Sequence, residues 1–142
     1  ACGPLYTWIE SQCENAEIAR RVRPLRDEGI AIVGSGSSYH NMRGFFGQLP
    51  NVAQASAAFD AWLCGAVAEP AGRQERLMGW EDAPSARECH PPRAEEHLLP
   101  LFVVAGAAHD DEQGLRAYGE ADFMGAGVTM SAWDFRPSAT AR

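Results

Sequence analysis

The chain has 142 residues, of which 46% are hydrophobic and 22% are charged. This balance is typical of one folded domain and excludes a disordered or fibrous protein. The formal net charge of −7 and the scattered arginines exclude a basic face for nucleic acid. Because no apolar run reaches the ~20 residues that cross a bilayer, we predict a cytoplasmic protein with neither nucleic acid nor membrane as a partner.

The first half of the chain predicts a helix, a strand and a second helix. Apolar residues recur with helical spacing over residues 15–26. The run "IAIV" at residues 30–33 is bounded by glycines and does not alternate with polar residues, which predicts a buried strand of the parallel type. Asn51 is a suitable cap for a helix over residues 52–68, whose apolar side chains form one stripe.

The second half predicts two further helices and a final strand. A short helix over residues 73–79 lies in a stretch rich in proline and glycine, and residues 94–108 are apolar almost all round, as in a buried helix. The next residues, "HDDEQG", predict an exposed turn, and alternation over residues 127–135 predicts a strand. This order of elements predicts an α/β domain with a central sheet flanked by helices.

A glycine-serine loop follows the predicted strand at residues 30–33 and reads "GSGSSYHNMR". Ligands of open α/β sheets bind where strands end, and an imidazole there can exchange a proton near neutral pH. His40 is therefore a candidate acid–base residue, with Tyr39 and Asn41 beside it. The alternative is a loop histidine that only hydrogen-bonds the backbone.

His97 is the second candidate, because it lies at the start of a predicted helix directly after Glu95 and Glu96. The positive end of the helix dipole disfavours imidazolium and keeps the ring neutral, as a metal ligand must be. The alternative is a partly buried histidine without metal, and the glutamates are as suitable for capping as for binding a metal. A zinc cluster of Cys89, His90 and His97 matches no structural zinc spacing.

Four segments of the chain resemble, in this order, the C-terminal half of class III extradiol ring-cleavage dioxygenases of the 4,5-DOPA dioxygenase branch. They read "RPLRDEGIAIVGSGSSYHNMR", "FDAWL", "HPPRAEEHLLPLFVVAGAA" and "MSAWDF". The resemblance divides the chain into an atypical segment 1–17, a dioxygenase-like part 18–136 and a tail 137–142. It also implies that the chain is a fragment or truncated form of the enzyme.

The resemblance implies a non-haem Fe(II), for which Zn(II) is often found, that binds both hydroxyls of a catechol next to O2 while the ring is opened. His40 matches the family's acid–base histidine and is also considered as a metal ligand, and His97 matches the third metal ligand. His90 matches a histidine near the substrate, and Tyr39 and Asn41 are the further candidates for substrate contact.

In the family, the other two metal-binding histidines belong to the N-terminal half. The resemblance therefore implies pairing with an N-terminal portion or formation of a homo-oligomer. It also predicts that His40 and His97 lie within several ångströms of each other at one pocket, for which Trp133 and Phe135 are candidate lining residues. The alternative function is a non-catalytic binding or interaction domain that retains the dioxygenase scaffold.

Overall fold

The computed structural model describes the backbone of residues 7–137 and the side chains from Glu17 onward. Residues 1–6 and 138–142, which belong to the predicted terminal segments, lie outside the described residues, and the first helix crosses the predicted boundary at residue 17. The elements are α1 (Thr7–Asp27), α2 (Met42–Phe45), α3 (Val52–Ala68), α4 (Arg73–Met78), a 3₁₀ turn (Trp80–Asp82), α5 (Ala86–Cys89), α6 (Leu99–Ala107), β1 (Glu112–Phe123) and β2 (Val128–Pro137).

The central element of the core is α3, which contacts both strands and the short helices α4 and α5. Phe59, Leu63 and Val67 follow one another at intervals of four residues and are fully buried, together with Trp80. Each such side chain contributes about 1.5–3 kcal/mol when it leaves water. Of these side chains, only Phe59 belongs to the apolar stripe predicted for residues 52–68, so the buried face of α3 is rotated from the predicted one. The first helix, α1, packs separately on α6.

The helices predicted from the sequence are present. Residues 52–68 form α3, residues 15–26 lie within α1, and α4 ends one residue before its predicted end. The helix predicted over residues 94–108 is shorter than expected, because α6 begins at Leu99 with a proline in its first turn, where the missing amide costs nothing. Within the described residues, no helix is both long and apolar enough to span a membrane.

The mixed α/β class is confirmed, but the sheet in the described residues is a two-stranded antiparallel hairpin. The final strand agrees with its prediction, whereas β1 was not predicted. The expected exposed turn "HDDEQG" is wrong in its second half, because Glu112 is buried and begins β1. The mostly polar sequence of β1 has no strand pattern, and the strand is instead stabilised by its backbone hydrogen bonds with β2.

The prediction of a buried parallel strand at residues 30–33 is wrong. This segment forms no strand, and the side chains of Ile30 and Val33 are 47% and 86% exposed. The two-stranded sheet of the described residues does not include the segment, so it has no neighbouring strand to supply backbone hydrogen bonds and bury its side chains. The chain that follows packs on α6, since a Cβ at Gly34 would lie 2.7 Å from a side-chain carbon of Val104.

Candidate functional site

The imidazole rings of His40 and His97 lie against each other, with ring centroids 3.7 Å apart and an interplanar angle of 35°. The backbone amide of Ser37 donates a hydrogen bond of 2.8 Å to the carbonyl oxygen of His97, which joins the two histidine-bearing segments. Glycine is required beside this bond, because a Cβ at Gly36 would overlap that same carbonyl oxygen. The predicted proximity of the two histidines is confirmed.

Glu96 places a carboxylate beside both rings. Its Oε1 atom lies 3.6 Å from Nδ1 of His40 and 3.8 Å from Nε2 of His97. Each residue offers one ligand atom, and these three atoms lie within 4.8 Å of one another. Nδ1 of His40 is buried without a hydrogen-bond partner. Two imidazoles and a carboxylate suit a divalent metal such as Fe(II) or Zn(II), so the donor set fits the metal that the sequence implies.

The adjacent residue Glu95 has a different environment. Its carboxylate is buried and accepts a hydrogen bond of 2.5 Å from the guanidinium of Arg87, which also binds Glu81. The two neighbouring glutamates thus have different roles. Glu95 forms a buried ion pair with Arg87, whereas Glu96 places its carboxylate beside the two histidines.

The last residues of α5 fix the loop that carries His40. The amide of His40 donates to the carbonyl oxygen of Cys89 at 3.0 Å, and the side-chain amide of Asn41 donates to that of Glu88 at 2.7 Å. Because Arg87 of the same helix binds Glu95, this four-residue helix contacts both histidine-bearing segments. No sequence pattern predicts this role, since a four-residue helix is too short to show a periodic arrangement of apolar residues.

A groove of about 520 Å³ lies between residues 31–38, α6 and the second strand. Its walls include His97 and, as predicted for pocket-lining residues, Trp133 and Phe135. The volume is within the range of small-molecule sites. His40 does not line this groove, so the prediction that both histidines face one pocket is met by His97 alone.

Comparison with known proteins shows that the chain is similar to part of several named dioxygenases. No protein-family model matches the chain. It is 34% identical over 134 residues to the dioxygenase tasH of Hapsidospora irregularis, covering 87% of this chain and 40% of that protein. It is 34% identical over 118 residues to the 4,5-DOPA dioxygenase extradiol of Beta vulgaris, covering 75% of this chain and 42% of the relative. The resemblance to the class III extradiol dioxygenases is confirmed.

The chain spans about two fifths of the length of these curated relatives and matches the C-terminal half of the extradiol dioxygenases. An uncharacterized protein from Escherichia coli K12 has a similar fold, with a TM-score of 0.61 and 25% sequence identity. That match covers 84% of this chain and 48% of the solved structure.

His90, the residue that the extradiol dioxygenase resemblance places near the substrate, is fully buried in this structure. Its ring lies edge-on to the rings of Phe59 and Trp80, and its Nε2 lies 3.1 Å from the carbonyl oxygen of Ser38. Burial lowers the pKa of His90 to about 4, which keeps the ring neutral. The ring is closed to a substrate in this arrangement, and its observed contact is with the loop before His40.

Tyr39 and Asn41 also have structural partners. Tyr39 is buried edge-on to Phe45, and burial raises the pKa of its hydroxyl to about 12. The side-chain oxygen of Asn41 accepts a hydrogen bond from the amide of Arg43 and caps α2. Their contact with substrate, expected from the extradiol dioxygenase loop, stays a prediction.

The zinc cluster considered for Cys89, His90 and His97 gains no support among the described side chains. Burial raises the pKa of the Cys89 thiol to about 12, which disfavours the thiolate that binds zinc. The ring of His90 is directed to Ser38 rather than to His97.

Proposed function

We propose that this chain supplies part of the active site of a non-haem iron-dependent extradiol dioxygenase, which opens a catechol-type ring with O2. The observation that carries the proposal is the contact between the rings of His40 and His97, in a chain that is 34% identical to parts of named dioxygenases. The substrates are an aromatic diol and O2, and we propose a cytoplasmic location.

The metal would be held by His97, with His40 as the second candidate donor, and would bring catechol and O2 together for reaction. Zn(II) fits the same nitrogen donors. The other metal ligands come, in this proposal, from an N-terminal portion of the protein or from a second copy of the chain.

His40 is the proposed acid–base residue. Its ring is partly buried beside His97, and its amide is bound to Cys89, so the imidazole is held at a defined position. A neutral imidazole accepts a proton from a catechol hydroxyl and returns it to the opened product. The apolar walls of the groove, Trp133 and Phe135 among them, contact the aromatic ring and exclude water.

The test is ring opening by the purified chain. The chain is loaded with Fe(II) without oxygen, then mixed with DOPA and O2 while absorbance of the yellow ring-opened product is followed. A chain without activity is mixed with the N-terminal half of the Beta vulgaris relative and assayed again. Product in either assay is expected, and no product in both would contradict the proposal.

Histidine variants assign the activity to the site. His40→Gln and His97→Gln are expected to abolish the product. The matched control is His109→Gln, because His109 lies beside Asp27 in another part of the chain and should be dispensable. Full activity of His97→Gln would exclude the proposed metal donor.

The second candidate function is a non-catalytic binding domain, and the groove favours it because a catechol could bind there without a metal. Calorimetric titration with a catechol distinguishes the two. Binding without turnover in both assays would support the binding domain.

A further inference from the structure

We propose that His40, Glu96 and His97 together bind one divalent cation, so that this chain carries three metal donors of its own. The inference takes the site of the proposed function as its starting point and adds Glu96 as a donor. It concerns the chain in the absence of substrate.

The separations between the donor atoms favour a cation between them. The carboxylate oxygen of Glu96 lies 3.6 and 3.8 Å from the two imidazole nitrogens, beyond the range of hydrogen bonds. Two donors that each bind a metal at ~2.1 Å, at a tetrahedral angle, lie about 3.4 Å apart. A small closing movement of exposed side chains would bring the three atoms to that spacing.

The environment of His40 supports the same conclusion. Its Nδ1 atom, the one that faces Glu96, is buried without a hydrogen-bond partner. A buried nitrogen of this kind is costly unless it is bound. A cation would bind it, whereas Glu95 cannot take the place of Glu96 because its carboxylate is engaged by Arg87.

The charge of the three donors determines which further ligand the bound cation would take. Two neutral imidazoles and one carboxylate leave a single positive charge on a divalent cation and leave coordination positions open, as in the two-histidine, one-carboxylate class of iron sites. An anionic oxygen ligand such as a catecholate suits these positions. Since a nitrogen bound to metal cannot accept a proton, His40 is a metal ligand in the substrate-free chain and takes its acid–base role only after the substrate has displaced it from the cation.

The experiment is titration of the metal-free chain with Co²⁺, followed by visible absorption, and with Zn²⁺, followed by calorimetry. One cation per chain is expected. Glu96→Gln keeps the side-chain shape and should weaken binding at least about 10-fold, since even residues outside the ligand set have effects of that size. The matched control is Glu75→Gln, which makes the same charge change on α4 and should bind as the unmodified chain does.

Three results would overturn the inference: no binding by the unmodified chain, equal binding by Glu96→Gln, or the intense near-ultraviolet band of a cobalt–thiolate bond. The assays separate this inference from the proposed function. If cation binding depends on Glu96 but neither activity assay shows ring opening, the cation site is supported and the proposed dioxygenase function is contradicted. If ring opening occurs and Glu96→Gln binds the cation as well as the unmodified chain does, the dioxygenase function is supported and the cation site is contradicted.

Discussion

Nε2 of His90 lies 3.1 Å from the carbonyl oxygen of Ser38, and this contact joins the end of α5 to the loop that carries His40. Since a carbonyl oxygen only accepts, the neutral ring carries its proton on Nε2 and donates it. A protonated ring would make the same hydrogen bond, so it is burial of the ring, and not this contact, that disfavours the charged form and lowers the pKa of His90.

The stability of the protein should therefore fall at mildly acidic pH. The pKa of His90 is lowered from 6.5 to about 4 in the folded chain, so the unfolded chain binds the proton first as pH falls. The stabilisation is present above pH 6.5 and is lost between pH 6.5 and about 4, by about 3 kcal/mol in total. Urea unfolding at a series of pH values measures it.

The His90→Gln variant tests the assignment, because an amide donates to Ser38 without titrating. The free energy of unfolding of His90→Gln should fall by about 3 kcal/mol less than that of the unmodified chain between pH 6.5 and about 4. The His109→Gln variant should show the same pH dependence as the unmodified chain. An unchanged slope in His90→Gln would show that another group is responsible.

The contact between the glycine loop and His97 should tolerate no side chain. In Gly36→Ala the added methyl overlaps the carbonyl oxygen of His97, and overpacking of this kind costs about 1–3 kcal/mol. Gly65→Ala is the matched control, since Gly65 lies in the last turn of α3 and nothing lies within 4 Å of the added Cβ. It should stabilise the protein by about 0.5–1 kcal/mol. Both free energies of unfolding come from urea denaturation, and equal effects would contradict the packing.

Arg73 should be essential for joining the hairpin to the helices. Its buried guanidinium donates to the backbone carbonyl oxygens of Val67, Ala105 and Glu112, which belong to three different elements. Arg73→Met leaves these buried acceptors without their donor and should cost about 2–3 kcal/mol or more. The matched control is Arg136→Met at an exposed position, which should lower the free energy of unfolding by less than about 0.5 kcal/mol. A small effect at Arg73 in thermal or urea unfolding would contradict this account.

The exposed segment at residues 30–33 should promote self-association of the chain. Val33→Glu introduces a charge where an apolar side chain faces solvent, and the sedimentation coefficient at high concentration should shift toward the monomer. Met124→Glu makes an equivalent change at an exposed residue of the hairpin turn and should leave the association unchanged. A monomeric unmodified chain would contradict the prediction.

What the sequence predicted follows from how local each signal is. The helix at residues 52–68 was predictable because its stripe and its boundaries lie within one segment. The state of residues 30–33 was not predictable, because burial of a strand depends on neighbours elsewhere in the chain, and no described strand pairs with this segment. The first strand was missed for the complementary reason, since its pairing with the last strand overrides a polar sequence.

The candidate site shows the same division. The glycine-serine loop was enough to identify His40 as a candidate site residue, and the position of His97 at the start of a predicted helix was enough to identify it as the second candidate. The sequence could not separate Glu95 from Glu96, because the choice is made by Arg87, eight residues before Glu95. It also could not show that His90 is enclosed by Phe59 and Trp80, which come from two other elements.

The hydrogen bonds from the amides of Ser37 and His40 end on residues far along the chain, at His97 and Cys89. Although the loop has no regular structure, these two amides exchange with solvent only when their contacts with His97 and Cys89 open. The backbone near each histidine is thus tied to a distant part of the chain. Any ligand that binds the pair should raise the melting temperature of the whole domain, in proportion to the logarithm of its concentration.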